Sequence, residues 1–332
     1  MIFKCKNCNG NVVYSPEKRK MYCPFCESEE SHELKPAVGD NMSMCPDCGG
    51  QIQVGEHTAA TQCPYCNNYV IFEQRVEGDY LPKMLIPFQM GKESCKKLIR
   101  DKFKKKVFAP TDFLSEVRLN SMQGTYVPYW FYDYDVNADY QGEGTKVRSW
   151  SSGDMRYTET SYYDIRRNVD VNFRNIPIDA SIEMPDDIMD LMQPYNYSQL
   201  SEFYPKYLSG FYAEKYNMPA AEIEGRAQRK MSTDAAALVK AQVSGYSSLR
   251  QLANNITINK AEQKYGFLPV WKYMYTYNNK EYPFYVNGQT GKIVGTVPIS
   301  TKKVWAYAVT LWACLFTILT CVSLWLSVLP WM

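Results

Sequence analysis

Eight of the eleven cysteines fall into two quartets of identical spacing. Cys5, Cys8, Cys23 and Cys26 form C-x2-C-x14-C-x2-C, and Cys45, Cys48, Cys63 and Cys66 repeat the pattern 40 residues later. Each CxxC turns two thiolates toward one point, and two such knuckles complete a tetrahedron of sulfur around a metal ion. Four thiolates leave no open coordination position, so the site holds a fold and performs no chemistry. The reading is one zinc ion per quartet, two per chain. Tetrahedral sulfur also suits iron, and spacing alone leaves that choice open. Disulfides would require an oxidising compartment, and a redox CxxC ordinarily precedes a helix in a βαβ unit. Here Pro24, Pro46 and Pro64 follow their cysteines, and Val12-Val13-Tyr14 and Tyr69-Val70-Ile71-Phe72 read as short strands.

The elements that position these cysteines are two small ribbons, residues 1–36 and 40–75, joined through Lys35-Pro36-Ala37-Val38-Gly39-Asp40. A link at Glu77-Gly78-Asp79 leads to a larger domain at 80–300. The 27 tyrosines cluster in short alternating stretches, Tyr126 to Tyr134 and Tyr273 to Tyr285, which favour strands. A basic helix is expected from Lys92 to Val107, with Cys95, Leu98, Ile99, Phe103 and Val107 on one face. Strands are expected from Gly124 to Val136, within Arg156 to Val171, at Asn255 to Lys260 and at Phe267 to Tyr277. A hairpin joins Tyr282–Val286 to Lys292–Val297. Helices are expected at Asp186–Met192, at Ser198–Tyr216 and from Pro219 to about Val243. Strands flanking helices make this an α+β domain with antiparallel strands. Tyr126-Val127-Pro128-Tyr129-Trp130 and Phe267-Leu268-Pro269-Val270-Trp271 resemble each other. The favoured reading is two edge strands with similar needs; the other is two related half-domains.

At the C-terminal end, 25 residues from Val304 to Val328 carry no charge. As a helix they span about 37 Å, more than the ~30 Å of hydrocarbon in a bilayer. Trp305 at one end and Trp325 and Trp331 at the other match interfacial aromatic belts. Lys302 and Lys303 precede the helix and no charged side chain follows it, so the positive-inside rule places the N-terminal bulk in the cytoplasm of a single-pass cell-membrane protein. The N-terminus enters the first knuckle directly and has no signal-peptide pattern. Thr310, Cys314, Thr317 and Cys321 form one stripe of small and weakly polar side chains, a surface for a second membrane protein or a second copy. Lys104, Lys105 and Lys106 belong to a segment, 92–107, with eight basic and two acidic side chains, and they are candidates for contact with membrane lipid.

The blocks Tyr126-Val127-Pro128-Tyr129-Trp130-Phe131, Tyr207-Leu208-Ser209-Gly210-Phe211-Tyr212-Ala213-Glu214 and Val286-Asn287-Gly288-Gln289-Thr290-Gly291-Lys292-Ile293-Val294-Gly295 follow the ribbon pair in order. With it they resemble a bacterial family labelled TFIIB-type zinc-ribbon membrane proteins, whose members include YdjG-like proteins encoded beside phage-shock protein A. The resemblance implies a membrane-anchored part of the envelope-stress response that recruits a phage-shock protein A-type partner, together with a second membrane protein. It implies no catalytic residues. Some members carry a primosomal-helicase label, but the chain has no G-x-x-x-x-G-K-[ST] phosphate loop.

Three function classes compete. The first is the membrane-tethered scaffold. The second is a zinc-ribbon nucleic-acid-binding protein tethered to the membrane. Residues 1–75 argue against it, with seven basic and nine acidic side chains. Two tetrathiolate zinc centres would bring that segment to about −6, and phosphate binding needs the opposite sign. The third is an enzyme. The only two histidines, His32 and His57, lie in the ribbons, so histidine acid–base machinery is absent from the large domain. Asp133, Asp135 and Asp139 could suggest a carboxylate pair, but Asp133 and Asp135 share one strand face and are read as a solvent-facing pair at period two, and the chain is read as no enzyme.

Overall fold

The structure, a computed structural model, describes residues 1–34, 37–38 and 42–328. Parts of the inter-ribbon linker, Lys35-Pro36 and Gly39-Asp40, lie outside the described residues, as do Leu329 to Met332 and the Trp325 side chain.

The first ribbon holds β1 (Ile2–Cys5), β2 (Val13–Ser15), β3 (Lys20–Tyr22) and β4 (Ser31–Leu34). β1 pairs antiparallel with β4, and β2 with β3. The second holds β5 (Ala37–Val38), β6 (Met42–Met44), β7 (Gln51–Gln53), β8 (Thr58–Gln62) and β9 (Tyr69–Ile71). β5, β6 and β7 form their own small sheet, but β8 and β9 belong to the ten-stranded sheet of the large domain. The ribbons also grip each other. Ile2 packs with Ile52, Val54, Val70 and Phe72 of the second ribbon, and Lys4 forms an ion pair with Asp47 at 2.8 Å.

The large domain runs β10 (Met84–Leu85), α1 (Lys92–Phe103), α2 (Glu116–Asn120), β11 (Gln123–Ser152), β12 (Met155–Asp179), α3 (Asp186–Leu191), β13 (Ser201–Glu202), β14 (Tyr212–Glu214), α4 (Ala220–Gln242), β15 (Ser248–Tyr277), β16 (Lys280–Asn287) and β17 (Ile293–Gly295). The order in the sheet is β13-β10-β15-β11-β14-β8-β9, with β12 on β11, β16 on β15 and β17 on β16. Pairing is antiparallel except for two short parallel ladders, β10 on β15 and β14 on β11.

β11 and β15 are each 30 residues long and β12 is 25, so the strands run for about 80–100 Å. The segments expected as separate strands at Asn255–Lys260 and Phe267–Tyr277 are one strand. β11 returns into β12 through the two-residue turn Gly153-Asp154, with Gly153 at φ +60°. Near this tip the strands face water on both sides, and Trp150 stacks on Tyr157 across them. Nearer the body α4 covers one face. Ile223, Ala227, Met231 and Ala235 recur every four residues and pack against Tyr132, Tyr134, Val136 and Ile178. Met231 is fully buried there, and truncation to Ala costs about 2–5 kcal/mol.

Three expectations are corrected. The helix expected over Ser198–Tyr216 is instead a 3-10 turn at Pro205–Leu208 followed by β14. Leu208 and Phe211 are both buried, which mimics helical spacing, but Gly210 between them sits at φ +102°, which no helix accepts. The basic helix ends at Phe103, and Lys104 to Val107 form turns. The echo segments are not edge strands. They lie in β11 and β15, adjacent strands at the centre of the sheet, and pair with each other, Val127 opposite Leu268.

The core is aromatic. Phe88 stacks on Phe211 at 4.0 Å between ring centres and meets Tyr126 and Trp271 edge-on. A Cβ on Gly288 would come within 2.6 Å of the Phe88 ring. The three sequence blocks Tyr126–Phe131, Tyr207–Glu214 and Val286–Gly295 therefore converge on one side chain, Phe88. The apolar helix α5 (Thr301–Val328) leaves the body after Ser300, whose N–H donates to the Phe108 carbonyl at 2.8 Å.

Candidate metal centres

All four CxxC knuckles have the same backbone. The first cysteine of each donates its N–H to a carbonyl five residues on: Cys5 to Gly10, Cys23 to Ser28, Cys45 to Gly50 and Cys63 to Asn68, at 2.7–2.9 Å. Its own carbonyl accepts from the residue four positions on, at 2.9 Å in each case. That residue is Asn9, Glu27, Gly49 or Asn67, and every one has a positive φ, between 56° and 71°. Asn and Gly tolerate this conformation; Glu27 adopts it because the knuckle closes around it.

The knuckles pair as the spacing predicts. Cys5 lies 3.5 Å from Cys26 and Cys8 3.5 Å from Cys23, sulfur to sulfur. In the second cluster Cys45–Cys66 is 3.6 Å and Cys48–Cys63 is 3.8 Å. Every sulfur of a quartet lies within 4.8 Å of the others. A disulfide would need ~2.0 Å, whereas a tetrahedron with ~2.3 Å metal–sulfur bonds has edges of about 3.8 Å. Both groups can therefore hold a metal ion. The thiols share protons unevenly. The Cys8 N–H, the largest influence, helps hold the Cys5 thiol down to about 6, while burial pushes Cys66 up to about 12. Two amides also point at sulfur, Asn7 N–H at Cys5 and Gly50 N–H at Cys48, both at 3.4 Å. An exposed ring covers each cluster's flank: Phe25 lies over Gly10 and Tyr65 over Gly50, so closely that a Cβ on either glycine would meet the ring at 2.7 or 2.5 Å.

Both clusters are seated on one segment, Tyr207–Lys215. The Tyr14 N–H donates to the Ser209 carbonyl at 2.9 Å, and the Ser209 hydroxyl donates to the Val12 carbonyl at 2.7 Å. The would-be Cβ of Gly210 lies 3.1 Å from Val13. On the other side Ala213 pairs with Ala60 of β8, and the Lys215 N–H donates to the His57 carbonyl at 2.7 Å. Two ring contacts, Tyr14–Tyr207 at 5.2 Å and Tyr69–Tyr212 at 5.9 Å, flank the seat. Sequence reasoning missed this role by assigning the segment to a helix. Pro205 and Gly210 within ten residues were the signal against it. A cleft of about 470 Å³ opens between the first ribbon and the sheet, lined by Tyr14, Glu17, Gln123, Phe211, Tyr212 and Trp271.

The other candidate residues lie elsewhere. Along α1 the basic side chains divide. Lys96 is buried among Glu93, Glu116 and Asn120, Arg100 pairs with Glu116, and Lys92 reaches the Asn120 carbonyl. Lys104, Lys105 and Lys106 are exposed. On α5, Cys314 and Cys321 are exposed, but the Thr310 and Thr317 hydroxyls donate to the Tyr307 and Cys314 carbonyls at 2.8 Å. Asp133, expected to face solvent, is instead buried at a bulge. It accepts from the Asn175 N–H at 2.7 Å and from Lys264 at 3.4 Å, whereas Asp135 pairs with Arg174 at the surface.

Among its described residues the molecule is thus a sheet-rich protein with two four-cysteine clusters and one helix, Thr301–Leu324, long and apolar enough to cross a membrane, with none of its apolar window buried. No protein-family model matches the chain, and no solved structure matches it. It is similar to the Bacillus subtilis strain 168 protein named "Uncharacterized protein YdjG", 32% identical over 314 residues, which cover 92% of each chain. The chain belongs to the family of YdjG.

Proposed function

We propose that this protein is a membrane-anchored zinc-ribbon scaffold that presents its ribbons and sheet on the cytoplasmic face and recruits a phage-shock protein A-type partner in the envelope-stress response. The observation that carries the reading is mechanical. β8 of the second ribbon is hydrogen-bonded into the sheet through β14; the last strand of that sheet, β17, ends at Gly295, and α5 begins at Thr301, its root bonded to the body by Ser300 N–H on the Phe108 carbonyl. Whatever docks on the ribbons is thereby held at a fixed attitude to the membrane. Zinc fits the sulfur tetrahedra, and closed tetrathiolate sites are structural. Lys302 and Lys303 at the start of α5 favour the cytoplasmic orientation. The Cys314–Cys321 face of α5 is the surface assigned to a second membrane protein or a second copy.

The test is recruitment. The full chain is reconstituted in vesicles, and a purified phage-shock protein A-type protein is added. Flotation of the partner with these vesicles, and not with vesicles bearing the Cys45→Ser/Cys63→Ser variant, supports the scaffold. Equal flotation with empty vesicles contradicts it. A DNA duplex is added in parallel, and binding to it would favour the nucleic-acid alternative.

A further inference from the structure

We propose that the turn Lys104-Lys105-Lys106-Val107 binds the phosphate headgroups of anionic lipids in the leaflet where α5 enters the membrane. This rests on α5 being a membrane anchor and adds a lipid preference to it.

The turn is tied to the root of that helix. Phe108, the next residue, accepts the Ser300 N–H at 2.8 Å and meets Tyr307 edge-on at 5.5 Å between ring centres. Two residues of chain span at most about 7 Å, so the Lys106 backbone is held within that distance of the backbone of Phe108, whose ring touches α5. Tyr307 stands four residues beyond Lys303, about 6 Å along the helix. Tyr307 and Trp305 are both exposed, at the height where aromatic side chains mark the membrane interface. The turn therefore meets the membrane at headgroup level.

Its chemistry fits that level. Lys105 and Lys106 are exposed and, among the described residues, pair with no acid; Lys104 is joined to Asp101 at 2.8 Å. Lys102, also exposed, donates to the Ile293 carbonyl at 2.7 Å. Lys302 and Lys303 add two cations at the start of α5. Within this basic group two apolar side chains stand out to solvent, Val107 at 69% and Ile299 at 65% exposure. Cations around an apolar tip suit an interface that is anionic above and apolar below. A protein acid or a nucleic acid would satisfy the lysines but leave Val107 and Ile299 in water.

The test uses the full chain in non-ionic detergent, with native mass spectrometry reading bound phosphatidylglycerol against phosphatidylcholine. Phosphatidylglycerol is expected to bind tighter, and Lys104→Gln/Lys105→Gln/Lys106→Gln is expected to lose about 25-fold of that affinity, roughly fivefold for each unpaired lysine. Lys97→Gln, exposed on α1, should leave it unchanged. Equal binding of the two lipids, no loss in the triple variant, an equal loss at Lys97, or displacement by millimolar inorganic phosphate would each overturn the proposal. A second measurement does not depend on the variants. A fluorophore on Val107→Cys in phosphatidylglycerol vesicles should be quenched by headgroup spin labels, and an unquenched label overturns the proposal. Release of the unaltered chain by alkaline carbonate would instead contradict the anchor itself.

Discussion

Pro128 and Pro269 occupy equivalent places on the two central strands. Pro128 pairs with Phe267, and Pro269 with Tyr126. On the outer side of β11 the neighbour changes from parallel β14, at Thr125 and Tyr126, to antiparallel β12, from Tyr129 onward. On the outer side of β15 it changes from parallel β10, at Gly266 and Phe267, to antiparallel β16, from Val270 onward. Each proline stands in the gap. Both carbonyls point outward, accepting from Ala180 N–H and Gly288 N–H. A strand residue's N–H points to the same edge as its carbonyl, so an ordinary residue would aim a buried N–H where one strand has stopped and the next has not begun. Proline has no N–H to leave unpaired. The echo between the two segments thus reflects a local two-fold arrangement, which favours related half-domains over edge strands.

Pro128→Ala and Pro269→Ala should each destabilise the protein by about 1–3 kcal/mol, the cost of a buried unpaired donor. Denaturant unfolding measures it. Similar losses at the two sites are expected, and a neutral result at either contradicts the equivalence.

The stability of the ribbon seat should depend on pH through Glu214 in β14. Burial, with Glu183 beside it, raises its carboxyl from 4.5 to about 7, against the Ser181 hydroxyl and Lys272, which lower it. A carboxyl with a raised folded pKa binds more protons folded than unfolded. Its contribution therefore falls as pH rises from about 4.5 to 7 and is level above that. Glu214→Gln removes the penalty. The variant should match the parent near pH 5 and exceed it by about 1–2 kcal/mol at pH 8. Urea midpoints at the two pH values decide it; a gain confined to pH 5 would reverse the sign.

Loss of the second metal cluster should be felt in the sheet as well as in the ribbon. Cys45→Ser/Cys63→Ser is expected to deprotect the Lys215 amide, which donates to His57, and the β8–β14 ladder. β11 and β15, held by their long mutual ladder, should stay protected. Hydrogen exchange resolves these segments. Unchanged protection at Lys215 would mean that ribbon and sheet are independent.

The α5 stripe should associate chiefly by close packing, because its threonine hydroxyls already donate within the helix. Thr310→Leu/Cys314→Leu/Thr317→Leu should therefore abolish a Cys321 cross-link in membranes while leaving insertion intact. No specific cross-link in the unaltered chain would remove the stripe as an interface.

What the sequence made legible was local. The cysteine knuckles close through hydrogen bonds spanning four and five residues, so spacing alone places the sulfurs. The start of α4 after Pro219 and the apolar run of α5 are likewise properties of contiguous residues. What stayed hidden was set by distant partners. Leu208 and Phe211 look helical until Ser209 is seen bonding to the first ribbon, its hydroxyl to the Val12 carbonyl and its carbonyl to the Tyr14 N–H, almost 200 residues away. Asp133 looks exposed until the bulge turns it toward Lys264. The lysines of 92–107 look alike in sequence, yet α2 buries Lys96 and leaves Lys104 to Lys106 outside.

The central claim is that two zinc ions organise the ribbons. Metal analysis of the full chain, purified in detergent under reducing conditions, tests it most directly. The account predicts two zinc ions per chain, falling to one in Cys5→Ser/Cys23→Ser and to one in Cys45→Ser/Cys63→Ser. Metal near zero in the unaltered chain, or iron in place of zinc, would contradict it.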